Sequence, residues 1–125
     1  MRGFDHERLE VYEVARQFTR WLRQLLRKAE LQGWNVVADQ LRRTSVSISL
    51  NNAEGSGEFA PGEKNRFFRM AKRSATESAA ALDFLVDVGV LEEADIRDGK
   101  DLLHRIVSML VRLIQTNERP RSRLR

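Results

Sequence analysis

Four arginines, Arg16, Arg20, Arg23 and Arg27, follow one another at spacings of 4, 3 and 4. On a helix such spacing lines side chains up along one face. A guanidinium grips phosphate oxygens two at a time, so a repeated arginine stripe suits a polyanion. Nothing acidic interrupts the stretch from Val14 to Ala29. A second acid-free run holds Lys64, Arg66, Arg69, Lys72 and Arg73, and the spacing puts Arg66, Arg69 and Arg73 on one outer helix face. Arg119, Arg121, Arg123 and Arg125 add a basic end. No aromatic platform for stacking bases accompanies these runs, so the chemistry they offer is backbone-directed and weakly sequence-specific.

Other constellations are sparse. Arg43, Asn51, Glu54 and Glu77 read as a structural polar network that caps the second helix and fixes register, because buried polar groups need partners. A binding site is the alternative for the same residues. His6 and His104 have no partner at metal-ligand spacing, and a Glu-x-x-His pair of the kind that builds di-metal bundles is absent. Gly55-Ser56-Gly57 lacks the preceding strand and the lysine of a phosphate-binding loop. With no nucleophile elbow and no acid–base pair, the sequence is read as non-enzymatic, without metal or cofactor.

Four elements must carry these residues. Gly33, the stretch from Gly55 to Gly62 with Pro61, and Gly89 cut the chain into segments of helical length. Val11, Ala15, Phe18, Leu22, Leu25 and Ala29 recur at spacings of 4 and 3, which predicts a helix over about Glu7 to Ala29 with Asp5 as its N-cap. Val37, Leu41, Thr44 and Ile48 predict a second helix, from about Asn35 to Ala53, with Gly55 ending it in a left-handed conformation. The third runs from Pro61 to about Val88 and is rich in small residues (Ala71, Ser74, Ala75, Ser78), which predicts a close approach by its neighbour. The fourth spans about Glu93 to Asn117. Its apolar arc, with Leu102, Val107, Met109 and Ile114 beside the core stripe, is wide enough to meet both the bundle and a second subunit. The fold class predicted is all-α, an antiparallel up-down-up-down four-helix bundle over residues 1–118, with a disordered basic tail at 119–125.

Composition sets the outer bounds. The 125 residues are 42% hydrophobic, enough for one domain with a real core. There are no cysteines, and the first thirteen residues carry six charges, so neither disulfides nor a signal peptide is expected; the location read from this is cytoplasmic. The longest charge-free stretch, Thr44 to Ala53, is far short of the ~20 residues of a membrane span. The net charge of +4 alone says little about partners.

The run Leu41-Arg42-Arg43-Thr44-Ser45-Val46-Ser47-Ile48-Ser49-Leu50-Asn51-Asn52-Ala53-Glu54-Gly55 resembles a Leu-Arg-Arg-Ala-x-x-Ser-Ile-x-x-Asn-Ile-Ala-Glu-Gly signature. Phe67, Phe68, Ala71, Ser74 and Glu77 follow as in the same family, and Phe4, Leu9, Val11, Tyr12 and Ala15 match its opening. The family is that of the bundle proteins encoded in intervening sequences of bacterial 23S ribosomal RNA genes, with accessory proteins of diversity-generating retroelements as relatives. The sequence departs from the signature at Thr44 (usually Ala), Ser49 (frequently Pro) and Asn52 (usually Ile). The resemblance implies an antiparallel four-helix bundle assembled as a homo-oligomer, often a pentamer. It also implies association with ribosomal RNA or, for the retroelement relatives, with nucleic acid and a reverse transcriptase.

Two functional readings stay open. In one, the arginine stripes bind structured RNA or another nucleic acid. In the other, the protein is an assembly adaptor for a protein such as a reverse transcriptase. An acidic cluster around the third turn (Asp83, Asp87, Glu92, Glu93, Asp95, Asp98, Asp101) supplies a counterpart with which the arginines could pair between subunits.

Overall fold

The computed structural model describes residues 4–120. Four helices follow in order: α1 (Glu10–Leu31), α2 (Asn35–Gly57), α3 (Pro61–Asp87) and α4 (Glu93–Glu118). Each lies antiparallel to the next. Early α2 meets late α3 through Thr44 and Ser78, while late α2 meets early α3 through Gly55 and Phe68. Asn65 at the start of α3 bonds Ile114 near the end of α4, and Lys28 late in α1 pairs with Asp95 early in α4. Contacts run α1–α2, α2–α3, α3–α4 and α4–α1, which is the closed circuit of an up-down-up-down bundle.

Glycine ends two of the helices. At the close of α1, Gly33 takes φ 86° and the Trp34 amide turns back onto the Ala29 carbonyl at 2.9 Å. Gly89 takes φ 81° after α3, and the Val90 amide reaches the Leu85 carbonyl at 2.9 Å. Both returns satisfy carbonyls that a helix end leaves open.

Gly55 departs from the expectation. It is no left-handed terminus: α2 runs on to Gly57, and Gly55 is buried inside it. A Cβ there would stand 2.6 Å from Cε1 of Phe68, so the missing side chain serves a close helix approach. Gly99 does the same for α1 and α4, where a Cβ would lie 2.2 Å from the Trp21 ring. The N-terminus also differs. Asp5–Arg8 form a separate 3-10 turn, Leu9 is extended, and α1 starts only at Glu10; Asp5 therefore lies within the turn and does not cap α1.

The core holds Phe18, Leu22, Leu41, Ile48, Leu82, Leu85, Leu103, Ile106 and Leu110, all essentially inaccessible. Burying each such side chain contributes roughly 1.5–3 kcal/mol. Between α2 and α3 the small residues allow a hydroxyl ladder. Ser78 donates to Thr44 at 2.6 Å, Thr44 donates to the Leu41 carbonyl, and Ser74 donates to Ser47 at 2.8 Å. Thr44 is thus a polar departure from the resembled signature with every bond made. Asn52 is the opposite case: its side-chain amide is fully buried and, among the described residues, neither its nitrogen nor its oxygen has a partner. Among the described residues no helix is long and apolar enough to cross a membrane.

Candidate nucleic-acid interface

α1 places its core stripe against the bundle, which turns Arg16, Arg20, Arg23 and Arg27 outward, and all four are exposed. Arg20, Arg23 and Arg27 line a groove of about 580 Å³ between α1 and α2. Leu22, Leu26 and Val46 supply apolar walls, and Arg42 of α2 adds a fourth guanidinium. The carboxylates divide the arginines into two sorts. Arg16 and Arg20 share Glu13 at 3.6 and 3.2 Å. Arg42 is held by Glu30 across the groove and by Asp39 at 2.8 Å on its own helix. The hydrogen bond that Arg42 donates to Glu30, then the charge of Glu30 and the contact with Asp39, push the Arg42 guanidinium above its ordinary range. Among the described residues, Arg23 and Arg27 have no ion pair. They are the cations in this groove with no acid to displace, and exposed pairs such as Arg20–Glu13 yield cheaply to a stronger anion.

The second basic tract lies elsewhere. Arg69 reaches across to Glu118 of α4, Arg66 pairs with Glu63 at 3.2 Å and lies over the Phe67 ring, and Arg73 is exposed with no ion pair among the described residues. This tract stands on α3, diagonally across the bundle from α1, whereas the α1 stripe opens toward α2. One chain therefore cannot present both to a single straight duplex. The sequence shows which residues share a face on each helix, but not that the two faces point apart. Arg119 is exposed, and the remaining tail arginines, Arg121, Arg123 and Arg125, lie outside the described residues.

The four residues read as a polar network are not joined to one another. Arg43 donates to Gln40 at 3.0 Å, and Asn51 donates to the Ser47 carbonyl and hydroxyl at 2.9 and 3.0 Å. Glu54 and Glu77 are exposed and make no hydrogen bond or ion pair among the described residues. Arg43, Asn51 and Glu54 instead line a second groove, of about 600 Å³, between α2 and α3, with Val46, Leu50 and Phe67 between them. Val46 and Leu50 are 54% and 59% exposed. Their presence was missed in the sequence, although Arg43, Val46, Leu50 and Glu54 recur at spacings of 3, 4 and 4. No group of three His, Asp or Glu side chains among the described residues is placed to hold a metal ion.

Fold and site together define a class: a small antiparallel helix bundle with an arginine-lined groove on one side. The particular family follows from comparison. The family model described as 23S rRNA-intervening sequence protein matches residues 7–112, and the chain belongs to that family. No curated protein matches it in sequence.

Proposed function

We propose that the protein is a non-enzymatic, cytoplasmic, homo-oligomeric bundle that binds structured RNA, ribosomal RNA in the first instance, through the arginine groove between α1 and α2. The observation that carries this reading is the pair Arg23 and Arg27, cations with no counter-carboxylate among the described residues, beside Arg20 and Arg42. The family name, which ties these proteins to 23S rRNA genes, is in keeping with it. Arg16 extends the stripe, and Arg66, Arg69 and Arg73 offer a secondary contact on the far side. In an oligomer, five subunits being the number that the resemblance implies, each groove is repeated, and repetition raises avidity without any new contact.

The test is RNA retention across a salt series, wild type against a variant with Arg16, Arg20, Arg23 and Arg27 all changed to Glu. Losing four phosphate contacts lowers the slope of log affinity against log salt by about 3–4 and removes at least ~100-fold in affinity at low salt. Unchanged retention by a variant that still melts cooperatively overturns the proposal. A second reading, an adaptor for a protein partner such as a reverse transcriptase, is favoured by one observation, the exposed apolar strip at Val46 and Leu50. A host pull-down that survives nuclease treatment selects it.

A further inference from the structure

The exposed strip on α2 has an ordered charge pattern. Arg43 stands at one end, Val46 and Leu50 in the middle and Glu54 at the other, all on one face. The opposite side of the bundle, where α1 and α4 meet, carries a second column. Asp98, Leu102, Arg105, Met109 and Arg112 follow at spacings of 4, 3, 4 and 3. Arg105 reaches Glu10 of α1 at 3.9 Å; Arg112 and the edge of the otherwise buried Met109 line an α1–α4 groove of about 360 Å³ with Leu9 and Leu113, and Leu102 is half-buried beside it. The two columns run in the same direction, because α2 and α4 are each antiparallel to α1 and α3. Their heights correspond. Arg42 pairs with Glu30 and Lys28 with Asp95, which sets the Arg43 end of α2 beside the Asp98 end of α4. Glu54 then falls within the span from Arg105 to Arg112. Read along the shared direction, α2 goes basic, apolar, acidic, and α4 goes acidic and then alternates apolar and basic, so that its acidic end meets the basic end of α2 and its basic residues meet the acidic end.

We infer that the α2–α3 groove of one copy docks on the α1–α4 groove of the next, with Arg43 against Asp98, Glu54 against Arg105 and Arg112, and Val46 and Leu50 against Leu102 and Met109. This deepens the self-association within the proposed function and rests on it. Three of these charges, Glu54, Asp98 and Arg112, have no ion pair or hydrogen bond among the described residues, and Arg43 bonds only Gln40. Charges left idle in one chain are the ones such a contact uses. The two faces are different and lie on opposite sides, so the contact is heterologous and closes into a ring or continues as a filament. It leaves Arg20, Arg23 and Arg27 of the α1–α2 groove outside the contact, while Val46, a wall of both grooves, is shared between them.

The experiment is light scattering after size exclusion on the full chain at fixed concentration, with a circular-dichroism melt for each variant. Wild type is expected as a defined multiple of 14.5 kDa. Arg43→Asp and Asp98→Arg each shift the mass toward the monomer, the two together restore it, and Leu50→Asp abolishes assembly while the melt stays cooperative. If Arg43→Asp is rescued by Glu54→Arg and not by Asp98→Arg, the contact is a two-fold pairing of α2 with itself and the inference is overturned. An oligomer indifferent to all of these variants overturns the interface but leaves self-association standing. A wild-type monomer overturns both, while the RNA reading is still decided by its own retention test.

Discussion

The two faces of α2 obey different rules. Its inner face (Leu41, Thr44, Ile48, Asn52, Gly55) is buried and almost every feature of it has an explanation in packing. Thr44 joins a hydroxyl ladder, and Gly55 lacks a side chain because Phe68 occupies the space. Its outer face (Arg43, Val46, Leu50, Glu54) is exposed and half apolar, and among the described residues its one polar tie is the hydrogen bond from Arg43 to Gln40. Both faces belong to the one run that resembles the family signature. Residues on the inner face specify the bundle, and those on the outer face are better understood as addressing something outside it. Breaking the inner face should cost stability; breaking the outer face should cost association alone.

Gly55→Ala is the strongest test of the inner face. Alanine is the better helix former by about 0.5–1 kcal/mol, so propensity alone predicts a gain. The new methyl, however, would sit 2.6 Å from a buried ring and 3.1 Å from the Lys64 carbonyl, and overpacking costs about 1–3 kcal/mol. Packing should win, with a net loss of about 1–2 kcal/mol in denaturant unfolding. A stabilised variant would mean that α2 and α3 part easily and that Gly55 is merely tolerated.

The two buried asparagines sharpen the same comparison within the core. Asn65 donates to the Ile114 carbonyl at 3.1 Å and accepts from Asn117 at 2.9 Å, tying α3 to the end of α4. Asn52 ties nothing. An unpaired buried amide costs about 1–3 kcal/mol, whereas a satisfied one contributes. Asn65→Leu should therefore lower the thermal midpoint by several degrees, and Asn52→Ile should raise it, in step with a gain in stability of about 1 kcal/mol once some packing strain is deducted. If both variants lose stability, Asn52 has a bonding partner in the folded protein, and the contrast between the two amides fails.

How much of this was legible in the sequence depends on what each feature requires. The four helices and their order were, because spacings of 3 and 4 and the breakers Gly33 and Gly89 are local signals. The alignment of Arg16, Arg20, Arg23 and Arg27 along one face was legible for the same reason. Register between helices was not. Nothing in the sequence joins Glu30 to Arg42 across the groove or separates the α3 tract from the α1 stripe, since both depend on how each helix is rotated against its neighbours. Gly55 was misread because a glycine that ends a helix and a glycine that admits a ring look alike until the ring is placed. The separate turn at Asp5–Arg8 was missed because charged residues continue through the break at Leu9 and hide it.

The smallest predicted effect bears on the outward-facing polar residues. Were Arg43, Asn51, Glu54 and Glu77 one structural network within a chain, Glu77→Ala would lower the thermal midpoint by several degrees. Glu77 is exposed on α3 and bonded to nothing among the described residues. Substitutions at such positions change stability by no more than about 0.5 kcal/mol. A melt of dilute protein, where association contributes least, should therefore show Glu77→Ala and Glu54→Gln unfolding with the wild type. The Glu54 variant should separate from wild type only as concentration rises, because a group whose partner is on another copy contributes in proportion to occupancy of that contact. A concentration-independent loss of several degrees in either variant would return these carboxylates to the inner logic of the fold and take away the reason for treating the outer face of α2 as an address.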